Sequence, residues 1–402
     1  MLLLLFISIL LLLGLVVIYA ISPALTARLS GADGLDQNMF MYRQLVYLLV
    51  GIGAFTAAAV IPIDFWSKIQ GKLLVGAIIL GALPFVLQAT SLGLCANGAC
   101  RWIDLGVISF QPAEAMKLAL VIFLAGFLSV RASQHKLNDL HQTLIPVGLI
   151  LLVMAMVVVG LQKDLGTGIT IVAIVMTMLF VAGLSSRFLV IAAGACLAFG
   201  VLFTIVAPHR IERILTFVGH ESSQADQMGY HINQALIAVG SGGLTGKGLG
   251  QSIQAFGYLP EAANDSIFAI LAEKFGFLGT IAVLAIFAAL FKRILDIMDH
   301  TANPYYRLVV AGVFGWVFSH TVVNIGAMLG IFPLTGITLP FVSFGGTSLL
   351  FMLIALGLVF QISRYTNHGK STTDQERGGL YDHSERRRGL GRSRNTGNSR
   401  IT

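Results

Sequence analysis

Ten times along this chain, about twenty residues pass with scarcely a charge among them. A soluble helix of that length needs a polar face for water, whereas in a bilayer about twenty apolar residues make one helical crossing. The runs fall at about 1–22, 44–62, 72–90, 112–130, 143–161, 165–183, 188–207, 266–291, 306–330 and 345–363. They are continuous instead of alternating, which excludes a membrane β-barrel. Only 11% of residues are charged, against about 25% in a soluble domain. The predicted fold is an all-α polytopic membrane protein with about ten transmembrane helices.

The chain opens Met1-Leu-Leu-Leu-Leu-Phe6 with no basic stretch, and no small-residue cleavage site follows. The first run therefore reads as a retained helix. With both termini cytoplasmic, seventeen of the twenty-six Lys and Arg residues fall on the inner side and nine on the outer side or its boundary. The positive-inside rule selects that orientation. Residues 1–365 form one transmembrane domain. The tail, 366–402, is polar and rich in Gly, Ser and Arg, cannot bury a core, and is predicted to be disordered. The net charge of +7 sits largely in loops and tail, so it indicates membrane topology and weak attraction to anionic lipid, not a nucleic-acid partner. No internal repeat or inverted pair of broken helices appears, which counts against a secondary transporter.

The predicted outer loops hold most of the Gly, Pro and polar signatures, and the longest, about 208–264, is extracytoplasmic in this orientation. Function is expected there. Asp265 stands where that loop meets the next apolar run, and a carboxylate at such a boundary must be solvated, paired or used. It is either a catalytic base or a helix N-cap, with Asn264 competing for the cap. Asp265, Ala269 and Glu273 lie at i, i+4 and i+8, so the two carboxylates are expected on one helix face about two turns apart. Lys274 points about 100° away.

Further charges gather in the other outer loops. Pro112 suits the first position of a helix, Glu114 its first turn, and Lys117 lies one turn on, as an ion pair or as a functional pair. Arg101 beside Trp102 suits a phosphate at headgroup depth or a snorkelling interfacial pair. Asp164 can cap the next helix, with Gly166 and Gly168 allowing close backbone approach, or can join Glu114 in holding a cation or diphosphate. Ser241-Gly-Gly-Leu-Thr-Gly-Lys-Gly-Leu-Gly250 is not a P-loop, because Gly248 follows Lys247 and no strand precedes it. It reads as a re-entrant loop. Cys95 and Cys100 share one loop, as a disulfide or as two unpaired small residues. Thr335, Thr338, Ser343 and Thr347 punctuate an apolar loop that is either a substrate wall or a capped connector.

Taken together, Gln111-Pro-Ala-Glu114 with Lys117, the Asp164-Leu-Gly turn, the Gly-rich segment, Leu259-Pro-Glu261 followed by Asp265 and Glu273, and Pro340-Phe-Val-Ser-Phe-Gly-Gly-Thr-Ser348 resemble the SEDS family. These are polytopic peptidoglycan polymerases of bacterial division and elongation, typified by FtsW and RodA, and the match spans roughly residues 10–365. Gly248-Leu-Gly-Gln-Ser252 and Tyr258-Leu-Pro-Glu-Ala262 look more like the division type.

The resemblance implies a lipid II glycosyltransferase of the bacterial plasma membrane, acting at the division septum and releasing polyprenyl diphosphate. It implies a class B penicillin-binding protein and other divisome proteins as partners. Asp265 matches the essential aspartate. Arg101, Lys117, Arg210, Gln234, Lys247, Glu261 and Ser343 are the expected substrate-binding residues. Glu114, Asp164 and Glu273 are supporting carboxylates, with Glu114 and Asp164 the expected pair for a divalent Mg or Mn ion. The chain departs from the family pattern at Cys100, at Lys163, at Ala263-Asn264 and at Lys274.

Overall fold

The computed structural model describes residues 1–30, 36–90, 93–96, 99–104, 106, 109–205 and 227–366. The predicted disordered tail lies outside them, apart from Thr366. Eleven helices carry the described chain: α1 (Leu2–Ser30), α2 (Met39–Val60), α3 (Ile63–Val86), α4 (Pro112–Ser133), α5 (Leu140–Leu161), α6 (Leu165–Ala182), α7 (Ser186–Ile205), α8 (Gln227–Ser241), α9 (Ile267–Asp299), α10 (Pro304–Met328) and α11 (Gly346–Ile362). Eight of them are long and apolar enough to cross a membrane, while the apolar stretches Ser186–Ala198 of α7 and Gly346–Ile362 of α11 are shorter.

Each predicted run coincides with a helix, but three boundaries move by eight residues or more; α1 continues to Ser30, past the expected end at 22. α3 starts at Ile63, not 72, because Lys68 and Lys72 are exposed on the helix surface instead of lying in a loop. α9 continues to Asp299, past the expected end at 291. α8 was not expected at all, since it lies inside the polar stretch read as loop. Its signal was there: Ile232, Ala235 and Val239 recur at helical spacing and face the core.

The expected all-α fold is departed from, among the described residues, by a small antiparallel sheet between α3 and α4. Strands β1 (Gly93–Ala96), β2 (Ala99–Asp104) and β3 (Ser109–Phe110) lie in the order β1-β2-β3. Cys95 faces Cys100 across the hairpin and the two form a disulfide.

α4 and α10 are the innermost helices. Of each one's membrane-length window 72% is buried, against 22% for α3, and Glu114 and Lys117 of α4 are buried with it. Close contact between them is possible because Gly312 of α10 has no side chain: a Cβ there would approach Val121 Cγ1 of α4 to 2.7 Å.

The two ends of the bundle differ. At one end the connectors are short and self-capped. Asp139 accepts from the His141 and Gln142 amides, Asn303 accepts from Tyr305 and Tyr306, and Gln361 donates to Ile61 O. The other end gathers the sheet, the α5–α6 turn, the segment after α8 and the loop between α10 and α11.

Candidate active site

The sheet is tied to the α5–α6 turn by Arg101. Its Nε donates to Gln162 O at 3.0 Å and its Nη2 to Lys163 O at 2.7 Å. Those carbonyls are available because α5 ends in a wide i→i+5 turn, and Lys163 follows in the left-handed region with φ 54°. Asp164 then caps α6, accepting from Thr167 N at 3.0 Å, Thr167 Oγ1 at 2.9 Å and Gln111 Nε2 at 3.3 Å. Gly166 allows the close approach its position suggested: a Cβ there would lie 2.7 Å from Thr335 O.

Asp265 caps nothing. It lies in the turns before α9, whose N-cap is Ser266 without a side-chain cap bond. The helical phasing that would put Asp265 and Glu273 on one face therefore does not apply.

The backbone around Asp265 is clamped instead. Asn324 Nδ2 of α10 donates to Asp265 O and to Ile337 O, both at 2.7 Å. Ser343 Oγ donates to Asn264 O at 2.6 Å while accepting from Leu339 N at 2.8 Å. Phe344 N donates to Ala263 O at 2.8 Å, and the amides of Asn264 and Ser266 both donate to Glu261 O. Ser343, expected to bind substrate, holds the turn through Asn264. Glu261 is exposed and bonded to Asn264 Nδ2.

Burial pushes the Asp265 carboxyl up to about 7, helped by the negative charge of Glu261. Hydrogen bonds from its own amide and from the amide and hydroxyl of Ser266 oppose that rise. A carboxyl so placed is divided between acid and base near neutrality.

A second charged station lies along α10. Lys117 is fully buried, with Nζ 2.8 Å from Glu114 Oε1, 2.9 Å from His320 Nε2 and 4.9 Å from the centre of the Trp316 ring. Trp316 Nε1 donates to His320 Nε2 at 3.2 Å, and His320 Nδ1 faces Thr338 O at 3.3 Å. With donors on Nε2 and an acceptor on Nδ1, the imidazole is neutral and protonated on Nδ1. The sequence reading missed His320 and Trp316, which lie in an apolar run. The available signal was spacing: Trp316, His320 and Asn324 are each four apart, on one face of α10. That face touches both stations, Lys117 through His320 and Asp265 through Asn324.

The expected metal pair divides. Both oxygens of Asp164 are engaged by the donors named above, whereas Glu114 Oε2 is buried without a hydrogen-bond partner. No cluster of three or more metal-type side chains occurs among the described residues. Glu114 thus keeps one oxygen without a donor, and Asp164 keeps none.

Glu273 and Lys247 pair with each other across the re-entrant segment. Glu273 accepts from Lys247 Nζ at 3.1 Å, Ser252 Oγ at 2.6 Å, Ile253 N at 3.1 Å and Gln254 N at 3.4 Å. α9 breaks at Gly276, φ 66°, where a Cβ would overlap the Gly246 amide. The amides freed there find new acceptors: Phe277 N bonds Gly243 O at 2.9 Å and Leu278 N bonds Leu244 O at 3.1 Å. In return Lys247 N and Gly248 N donate to Glu273 O and Lys274 O, and Lys274 Nζ donates to Leu249 O. Irregular backbone beside membrane helices requires this mutual satisfaction. Gln234 is half-buried on α8, one turn from His231. Arg210 lies outside the described residues.

Comparison with known proteins gives a consistent result. A family model described as cell cycle protein, covering FtsW, RodA and SpoVE, matches residues 1–368. Stage V sporulation protein E of Bacillus subtilis is 36% identical over 369 residues, 91% of this chain and 98% of that protein. The probable peptidoglycan glycosyltransferase FtsW of Thiomicrospira cyclica is 35% identical, covering 90% of this chain and 93% of the relative. Among solved structures, a chain from work on structural coordination of polymerization and crosslinking by a peptidoglycan synthase complex superposes with TM-score 0.72 at 25% identity, over 91% of this chain and 98% of that one. Thermus thermophilus RodA, a rod shape determining protein, superposes with TM-score 0.65 at 26% identity, over 91% and 97%.

Proposed function

The chain belongs to the FtsW/RodA/SpoVE family of cell cycle proteins, and from that membership we propose that it is a peptidoglycan glycosyltransferase with Asp265 as general base. The observation that carries the assignment is a non-capping carboxyl whose backbone is clamped by Asn324, one turn of α10 from the His320 that meets the buried Lys117.

In the proposed reaction an Asp265 oxygen takes the proton of an acceptor sugar hydroxyl. That hydroxyl oxygen bonds to the anomeric carbon of the lipid-linked donor, and the bond from that carbon to the diphosphate breaks with its electrons on the leaving polyprenyl diphosphate. Lys117 and Arg101, with Arg210, meet the developing phosphate charge, which is the larger part of the catalytic effect. A divalent Mg or Mn ion facing Glu114 Oε2 would supply further charge neutralisation. Asp164 and Ser343 hold the site's backbone, and the Glu273–Lys247 pair supports the segment carrying Gln254 and Leu259.

The substrate in this reading is lipid II, the setting is the extracytoplasmic face of the plasma membrane at the division septum, and a class B penicillin-binding protein supplies crosslinking. N-in and C-in topology puts the loop-rich end outside. Elongation-type polymerisation is the neighbouring role, distinguished by whether a fluorescent fusion gathers at the septum or along the side wall. A lipid II flippase is the rival class, and the concentration of polar features at one end favours the enzyme.

Purified protein with its transpeptidase partner, given lipid II, should form glycan strands. Asp265→Asn should slow this by about 10²–10⁴-fold, the usual contribution of a general base. Undiminished polymer from Asp265→Asn would end the base assignment, and lipid II translocation in liposomes without polymer would favour the flippase.

A further inference from the structure

Beside Asp265 lies a side chain that the proposed chemistry leaves unused. His231 projects from α8, and its Nε2 is 2.6 Å from Ser266 Oγ. Ser266 is fully buried. Its hydroxyl also reaches two acceptors, Pro260 O at 2.9 Å and Asp265 Oδ1 at 3.4 Å.

A serine hydroxyl has one proton and two lone pairs. If His231 Nε2 accepted that proton, neither Pro260 O nor Asp265 would receive one. The arrangement is satisfied when His231 donates its Nε2–H to Ser266, leaving the serine O–H for the other two. Burial holds His231 below its ordinary pKa, with the Glu261 charge acting the other way. A neutral ring carrying its proton on Nε2 meets the requirement.

We propose that His231 is a positioning residue for Asp265: by donating to Ser266 Oγ it keeps the serine O–H aimed at the Pro260 carbonyl and the Asp265 carboxylate. The serine proton rests on Pro260 O when Asp265 is protonated and turns to Oδ1 when Asp265 is ionised. One hydroxyl thus favours the basic form of the group that must accept a proton. α8, whose own sequence carries no charged side chain, gains a direct connection to the chemistry through a single hydrogen bond. Among the described residues, the titratable or polar groups facing this pair are Glu261 and Ser266 from the turn, His231 from α8, Asn324 from α10 through the Asp265 backbone, and Ser343 through Asn264.

This inference rests on Asp265 being the base, and the experiment separates the two. The full chain with its transpeptidase partner is assayed for lipid II polymerisation across pH as wild type, His231→Ala, His231→Gln, Ser266→Ala and Asp265→Asn. In parallel, the protonation of Asp265 is followed by infrared titration of its carboxylic acid band, which does not depend on turnover. His231→Ala and Ser266→Ala should raise the midpoint of the Asp265 titration by about one pH unit, the size of one lost hydrogen bond to a charged group. His231→Gln, whose amide still donates, should leave that midpoint within a few tenths of wild type. A side chain that only fills space would lower activity without moving the midpoint, and that outcome, or a Gln variant shifted as far as Ala, overturns the proposal. If Asp265→Asn keeps full activity, the base assignment fails first, and the infrared midpoints still report whether His231 acts on Asp265.

Discussion

At the scale of the residue, Asp265 shows how backbone can hold a costly group in place. Its own carbonyl, and those of Asn264 and Ala263, are each bonded by a group from α10 or the loop after it, so the turn that carries the carboxyl is held in place. The sign of the consequence for stability follows. Because the folded carboxyl sits at about 7 and the unfolded one near its ordinary value of about 4, the folded state holds the extra proton between those limits. Stability therefore falls as pH rises from about 4 through about 7 and stays reduced above. Asp265→Asn removes that penalty. Its thermal midpoint in detergent should exceed wild type at pH 8, with the gap closing as pH approaches 4, even as activity is lost. Equal midpoints at both pH values would show that Asp265 carries no buried-charge cost.

At the scale of the element, the segment after α8 and the broken helix α9 make one unit. Each satisfies backbone groups the other leaves open, and Glu273 draws three donors from residues 252–254 as well as Lys247. Removing the carboxylate leaves Lys247 and the amides of Ile253 and Gln254 without their acceptor. Glu273→Ala should cost about 1–3 kcal/mol, as for buried donors left without an acceptor, read as a lowered unfolding midpoint. Hydrogen exchange should quicken across residues 243–254 while α10 stays protected. Uniform loosening of the whole bundle would argue that the pair is not a local lock. The glycines of this segment, which invite a phosphate-binding reading, are required where backbone meets backbone at Gly246 and Gly276.

At the scale of the whole molecule, the buried Glu114–Lys117 pair stands on α4 against His320 of α10, and the loops gather at the same end of the bundle. Arg101 fastens the sheet to the α5–α6 turn, and the Cys95–Cys100 bridge lies next to it. The bridge and the free Cys196 give the topology a chemical signature. Denatured without reductant, the intact protein should take up one alkyl group per chain. After reduction it should take up three, since the chain has three cysteines. Three before reduction would remove the disulfide, and with it the argument that this end faces an oxidising compartment.

What the sequence determined by itself follows from local physics. Runs of about twenty apolar residues have one solution in a bilayer, so the helices at all ten runs were legible, as were the Pro112 start of α4, the Glu114–Lys117 pair and the Asp164 cap, each set by neighbours within one turn. The motifs along the chain were sufficient to name the family. Tertiary structure decided whatever depends on distant partners. It brought His320 to Lys117 across 203 residues, Asn324 to Asp265 across 59 and Lys247 to Glu273 across 26. It bonded Arg101 to the Gln162 and Lys163 carbonyls, Ser343 to Asn264 O, and Glu273 to Lys247 and residues 252–254. No periodicity records such pairings, because a hydrogen bond is satisfied by whatever the fold brings within about 3 Å. Asp265 was visible as a charge at a membrane boundary; that it caps no helix and has its carboxyl raised by burial is a property of the assembled turn.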